Sequence, residues 1–248
     1  MNFLNRGPQA GPLRLFPVTG KSDTLFQLTS SEPIDLHPRL FLVTPASYKP
    51  DEFLPQLEAA LAAGDVACLL VTRGGLDDVA FQKVAARMVE MGQAAGAAVL
   101  IGNDTRIAGR ARADGIHCDT GLADLKLATE TFKPSRIVGA GGIKTRHEAM
   151  ELAETGVDYV FFGLLDLDES PEAHRKTLDL ADWWSELFEI PCVALGGTDL
   201  ASVGPCAATG ADFVALRDGV WTYPEGPAAA VRLANETLAS YELEAAEE

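Results

Sequence analysis

The stretch VLIGNDTRIAGRARADGIHCD, residues 99–119, sets Asn103 and Asp104 at the end of one apolar run and Asp119 at the end of the next. Carboxylates at matching ends of neighbouring strands suit a hard cation such as Mg²⁺, which takes oxygen ligands, keeps waters and bridges to phosphates. Asp104 has a plainer use as well, because it stands just before Thr105, where Asp caps a helix. Other residues concern anions. Gly196 and Gly197, followed by Thr198 and Asp199, permit the close backbone approach that phosphate-holding turns use, and a glycine cluster at 139, 141 and 142 recurs upstream. Arg73 and Arg217 also end apolar runs, and a guanidinium forks onto phosphate oxygens.

These residues need a scaffold that gathers them. Apolar runs rich in Val, Ile, Leu and Phe occupy 39–44, 67–72, 98–102, 115–118, 136–141, 159–165, 191–197 and 213–220. They are short and nearly all apolar, as strands buried on both faces are. The gaps carry helical periodicity, for example over 51–63, 77–95, 145–155, 171–188 and 227–241. Thr145 followed by Glu148 forms a capping box, and Gly64, Gly96, Gly156 and Gly210 supply stops.

Eight strands alternating with helices specify an α/β fold, the (βα)8 or TIM barrel. An open doubly wound sheet has fewer strands and a glycine fingerprint at its first turn, whereas TPASYKP has no glycine. The barrel is expected over 39–241, after an irregular, proline-punctuated extension at 1–38 and before an acidic tail at 242–248. Barrel active sites lie at the C-terminal strand ends. That rule selects Thr44, Arg73 to Gly75, Asn103 and Asp104, Asp119, Gly139 to Gly142, Gly163, Gly196 to Thr198, and Arg217 to Gly219. The third and fourth strands are neighbours, so Asp104 and Asp119 are expected side by side.

Composition excludes several classes. A net charge of −16 repels a nucleic-acid backbone, so an anionic ligand needs a local site of N–H groups, cations or a metal. No apolar run approaches the roughly 20 residues of a membrane span. The first residues show neither an apolar core nor a basic start, so no secretory signal is expected. Cys68, Cys118, Cys192 and Cys206 form no CxxC pair and read as reduced, buried thiols of a cytoplasmic protein.

On RLFLVT, on the 99–119 stretch, on ETGVDYVFFG and on IPCVALGGTDLASVGPCAATGADFVAL, the chain resembles the thiamine-phosphate synthase family and its TenI-type thiazole tautomerase relatives. The resemblance runs from about Arg39 to Val220. It implies a transferase of thiamine biosynthesis that joins a pyrimidine, activated as its diphosphate, to the ring nitrogen of a thiazole phosphate with Mg²⁺. It implies Arg73 as the catalytic diphosphate contact, Asn103 on the pyrimidine diphosphate, Asp104 on the metal, and Gly197 on the thiazole phosphate. The second metal carboxylate is Asp119, or Asp124 if the insertion TGLA shifts the register. Gly141, Gly196, Arg217 and Asp218 complete the expected substrate-binding set.

The departures from the family pattern are specific. Gly75 replaces a lysine beyond Arg73, GAGGI lacks the family's serine and histidine, and LLDLDESPEAHRK replaces a hydroxyl-rich, cationic loop. Arg217 and Asp218 stand where the family has valine and serine. Charge-assisted phosphate contacts contribute about 1.5–3 kcal/mol each. Two lost lysines therefore weaken diphosphate binding on the order of hundreds-fold, unless Arg217 restores one contact. The missing histidine disfavours the tautomerase, which needs a proton-transfer residue, and His117 reads as a packed core residue. Two expectations follow: a divergent synthase acting on small phosphorylated substrates, or a repurposed, non-catalytic barrel that binds a phosphorylated molecule through Gly196, Gly197 and Arg217. An isomerase of another pathway would need a general base at a strand end, and beyond the two or three Asp no such group stands out. Barrels of this type often self-associate, so a homo-oligomer is compatible with either.

Overall fold

The computed structural model describes residues 37–167 and 170–245. The strands are β1 (Arg39–Val43), β2 (Cys68–Val71), β3 (Ala98–Gly102), β4 (Gly115–Cys118), β5 (Ile137–Ile143), β6 (Tyr159–Phe162), β7 (Cys192–Leu195) and β8 (Phe213–Leu216). All pair in parallel, and β8 pairs with β1, so the sheet closes into a barrel. Between them lie α1 (Pro50–Leu61), α2 (Asp78–Ala94), α3 (Thr105–Ala111), α4 (Leu122–Phe132), α5 (Arg146–Ala153) and α6 (Arg175–Leu187). A 3-10 turn (Leu200–Ser202) and α7 (Val203–Ala207) follow β7, and α8 (Asp218–Trp221) and α9 (Pro227–Ala245) follow β8. The TIM barrel expected from the alternation is the architecture found.

Strand residues point alternately outward and inward. Leu40, Leu42, Leu69, Val71, Val99 and Ile101 join the layer that packs against the helices. Phe41, Val43, Leu70, Leu100, Tyr159, Phe161, Val193 and Leu195 fill the barrel interior. On β5 two of the inward positions, Gly139 and Gly141, are glycines. A Cβ on Gly139 would stand 2.0 Å from Tyr159 Cζ, and one on Gly141 would stand 2.4 Å from His117 Nε2. Bulky rings on β4 and β6 thus take the space that β5 leaves, which is the interdigitation a closed barrel needs.

Local signals worked where they were strong. The Thr145 hydroxyl accepts from Glu148 N while the Glu148 carboxylate accepts from Thr145 N at 3.1 Å, so the capping box is formed. Three elements differ from the sequence pattern. The apolar run after Tyr159 leaves the sheet at Phe162, because Gly163 has φ +119 and turns the chain. The next helix starts at Arg175 rather than 171, with His174 as its cap. The run expected to continue from β8 to Val220 is instead the helical turn α8. The expected N-terminal extension lies outside the described residues up to residue 36, as do residues 246–248 of the tail.

Candidate active site

A cavity of about 440 Å³ opens at the C-terminal mouth of the barrel. Its lining comes from the ends of β1 to β4, from the loop after β6 and from the end of β8. Register brings β3 and β4 together there, since Gly102 is opposite His117. Asn103 and Asp119, just beyond, close a two-way clamp. Asn103 Nδ2 donates to Asp119 Oδ1 at 2.6 Å, and Asp119 N donates to Asn103 Oδ1 at 3.0 Å. Asn103 holds this position with φ +57, a left-handed conformation that Asn tolerates better than most residues and that recurs at functional sites.

Asp104 caps a helix, as its position suggested, and also pairs with an arginine. Oδ1 accepts from Ile107 N at 2.9 Å and caps α3, while Oδ2 accepts from Arg73 Nη2 at 2.9 Å. Arg73 lies over the Phe81 ring at 5.2 Å and also donates to Asp78 at 2.5 Å. Arg73, and then Arg106, hold the exposed Asp78 carboxyl below the usual carboxylate range. Sequence reading missed Asp78, because it lies in the first turn of α2 and only the fold brings it to Arg73.

The residues present fit a hard cation. Asp104 and Asp119 both line the cavity, and two carboxylates with water completing the shell is a usual Mg²⁺ arrangement. Among the described residues, no group of three or more His, Cys, Asp and Glu side chains gathers as a closed metal cage. Asp124 is exposed in the first turn of α4 and is not among the cavity-lining residues.

Arg217 lines the same cavity but is 4% exposed, because the loop after β6 covers it. Its guanidinium donates to the carbonyls of Leu165 at 2.7 Å and Leu167 at 3.1 Å, and Asp218 stands 3.7 Å from its Nε. The same loop reaches the turn after β7. Thr198 N donates to Ser170 O at 2.8 Å and Asp199 N to Pro171 O at 3.0 Å. Gly196 N donates to Ala215 O at 2.8 Å, and Gly197 N to Ser202 Oγ at 2.9 Å. The close approach that Gly197 permits is used by this backbone, since a Cβ there would stand 2.3 Å from Pro171 O. The donors expected to hold phosphate are therefore engaged with the chain itself. A smaller cavity of about 230 Å³ lies beside them, between Gly163, Leu195 to Gly197 and α6.

His117 is 1% exposed and packed, as a core histidine would be, yet its ring also lines the mouth. Its Nδ1 bonds the Tyr159 hydroxyl at 2.8 Å. Burial lowers its pKa to about 4 and pushes the Tyr159 hydroxyl well up, so both stay neutral near pH 7. All four cysteines are free and buried. No helix among the described residues is long and apolar enough to cross a membrane.

Fold and site together define a (βα)8-barrel protein with an arginine-and-carboxylate site at its C-terminal mouth. The family model described as thiamine monophosphate synthase matches residues 40–220. The chain is 37% identical over 203 residues to the thiamine-phosphate synthase of Hyphomonas neptunium, covering 79% of this chain and 92% of that protein. It is 36% identical over 195 residues to that of Rhodospirillum centenum, covering 78% and 94%. Among solved structures, thiamine phosphate pyrophosphorylase from Pyrococcus furiosus superposes with a TM-score of 0.68 at 20% identity, covering 82% of this chain and 96% of that one, which shows the shared fold. The chain belongs to the thiamine-phosphate synthase family.

Proposed function

We propose that the protein catalyses the family reaction, in which the ring nitrogen of a thiazole phosphate attacks the methylene carbon of a pyrimidine diphosphate. The carbon–oxygen bond breaks, pyrophosphate leaves, and thiamine phosphate forms. The observation that carries this reading is the Arg73, Asn103, Asp104 and Asp119 constellation on one rim, within a family match that spans the barrel. Charge grows on the departing pyrophosphate, and a positioned cation stabilises it more than it stabilises the bound substrate. Arg73 supplies that cation from the chain, oriented by Asp78 and Asp104. Asn103 orients Asp119 and offers an amide to the diphosphate. Asp104 and Asp119 would hold Mg²⁺, with Asp119 favoured over Asp124 because it lines the cavity. When bound, Mg²⁺ neutralises the leaving pyrophosphate. Gly196, Gly197 and Arg217 would border the thiazole-phosphate side, with Asp218 beside Arg217, while Gly141 packs against His117 and lines neither cavity. The reduced cysteines support a cytoplasmic location.

One observation favours the second reading, a barrel repurposed to hold a ligand without turnover. Arg217 and the N–H groups of Thr198 and Asp199 already bond carbonyls of the β6 loop. For the thiazole phosphate to reach those donors, the loop carbonyls must give way. A turnover assay with both substrates and Mg²⁺ decides between the readings. Metal-dependent formation of thiamine phosphate supports the synthase. A folded protein that makes none, yet is stabilised by either phosphorylated substrate, supports the binding barrel.

A further inference from the structure

We propose that Arg106, a residue of α3 that is not among the cavity-lining residues, is a positioning residue for anion binding at the rim: it holds Asp78, and Asp78 in turn holds Arg73 ready for an incoming anion. Under the reaction proposed above that anion is the pyrimidine diphosphate, and the inference rests on that reading for the identity of the anion alone.

The starting observation is a chain of three ion pairs. Arg106 Nη2 donates to Asp78 Oδ2 at 2.9 Å, Arg73 Nη1 to Asp78 Oδ1 at 2.5 Å, and Arg73 Nη2 to Asp104 Oδ2 at 2.9 Å. Two neighbouring βα units contribute two members each. Arg73 and Asp78 stand at either end of the turn from β2 into α2, and Asp104 and Arg106 flank the first residue of α3. The β2 turn is shaped for this. Gly74 and Gly75 have φ +62 and +78, a conformation that suits glycine and folds the chain back. Asp77 caps α2 through Ala80 N, so the next carboxylate, Asp78, is left to face the arginines.

Charge decides what the chain of pairs does. One arginine against the two carboxylates of Asp78 and Asp104 would leave a net charge of −1 in a protein of net charge −16, and that repels a diphosphate. Arg106 brings the group to zero, because two guanidiniums then face two carboxylates. Arg73 also keeps donors in hand. A guanidinium has five N–H groups, and the two bonds to Asp78 and Asp104 use two of them, which leaves others for a ligand in the cavity that Arg73 lines. The Phe81 ring lies 5.2 Å from the guanidinium and sets its plane. An arginine ordered in this way binds an anion at a lower entropic cost. A simpler role for Arg106 is a surface clasp between α2 and α3. Its side chain is 55% exposed, and exposed ion pairs contribute little to folding, so the two roles predict different measurements.

The test is calorimetry with inorganic pyrophosphate and Mg²⁺, joined to steady-state kinetics. Arg106→Gln keeps a hydrogen-bond donor and removes the charge. Its pyrophosphate binding should weaken about fivefold at low salt while the melting temperature stays at the wild-type value. Only one Arg106 nitrogen reaches Asp78, so Arg106→Lys, which keeps a point charge, should bind within about twofold of wild type. Because the pair is exposed, the gap between Arg106→Gln and wild type should close to less than about twofold in about 0.5 M salt. KM for the pyrimidine diphosphate should rise with the binding loss, and KM for the thiazole phosphate should not move. In an Asp78→Asn background Arg106→Gln should have no further effect, since the two residues act in series. Unchanged pyrophosphate binding in Arg106→Gln, or the same loss with and without the Asp78 carboxylate, overturns the positioning role, as does a wild-type protein that binds no pyrophosphate. If pyrophosphate binding depends on Arg106 through Asp78 but no thiamine phosphate forms, the positioning role stands and the synthase reading falls. If thiamine phosphate forms and Arg106→Gln leaves its kinetics unchanged, the positioning role falls and the synthase reading stands.

Discussion

Arg73 and Asp104 meet at 2.9 Å at the rim of the barrel mouth, and the same Asp104 side chain caps α3 through Ile107 N. One carboxylate therefore links the end of β2, the end of β3 and the start of a helix. The pair orients Arg73 before any anion arrives, which lowers the ordering cost of binding.

Because Asp104 has two roles, two substitutions separate them. Asp104→Asn keeps a side-chain oxygen for Ile107 N and removes the negative charge. Its melting temperature should stay near wild type while turnover falls about a hundredfold or more. Asp104→Ala should lose turnover equally and also about 1 kcal/mol of stability, since the cap is gone. Full activity in the Asn variant would remove Asp104 from the site.

Arg73→Lys tests the fork rather than the charge. Lysine is a point charge and does not hold Asp78 and Asp104 at once, so the conservative change is not conservative here. The expected result is a tenfold to hundredfold loss in kcat/KM for the pyrimidine diphosphate, with Arg73→Ala lower still by about another tenfold. Indistinguishable kinetics for wild type and the lysine variant would show that charge alone suffices.

Gly197→Ala probes the contact between the turn after β7 and the β6 loop. The new Cβ would stand 2.3 Å from Pro171 O and 2.5 Å from Ser170 O, and both are backbone atoms that yield only by moving the loop. Stability should fall by about 1–3 kcal/mol in urea unfolding, as overpacking does. Protease cleavage in the loop should quicken in parallel. Loss of stability with an unchanged cleavage rate would mean that the strain is absorbed elsewhere.

His117 also sets a pH dependence. Its folded pKa, lowered by burial to about 4, lies below the unfolded value of 6.5. Between those values the unfolded chain binds a proton that the folded chain refuses. The contribution of His117 to stability is therefore whole above about pH 6.5 and is lost as pH falls toward 4, by up to about 3 kcal/mol. Asp212, raised by burial, works in the opposite direction as its own range is approached. Metal-free His117→Gln should lose about 2–3 kcal/mol less than wild type between pH 7.5 and pH 4.5 in urea midpoints. Equal losses would show that other groups dominate.

The sequence by itself determined the scaffold. Doubly buried parallel strands must be apolar throughout and must be separated by amphipathic helices, so the alternation is written residue by residue, and strands such as Ala98–Gly102 and Gly115–Cys118 coincide with their apolar runs. The rim rule then located Arg73, Asn103, Asp104 and Asp119, because strand ends follow from strand positions. Only the tertiary structure decided what those groups touch. Asp78 reaches Arg73 from a helix, the β6 loop engages Arg217 and the turn after β7, and His117 has one paired nitrogen and one orphan. The Arg217 and His117 contacts join atoms far apart in the chain, and the Arg73–Asp78 pair, only five residues apart, depends on how the turn between β2 and α2 is folded. Hydrophobic periodicity encodes which face is buried, but a hydrogen bond is directional and depends on the position of both partners in space. An apolar strand reads the same whether its histidine is fully satisfied or leaves one nitrogen without a partner.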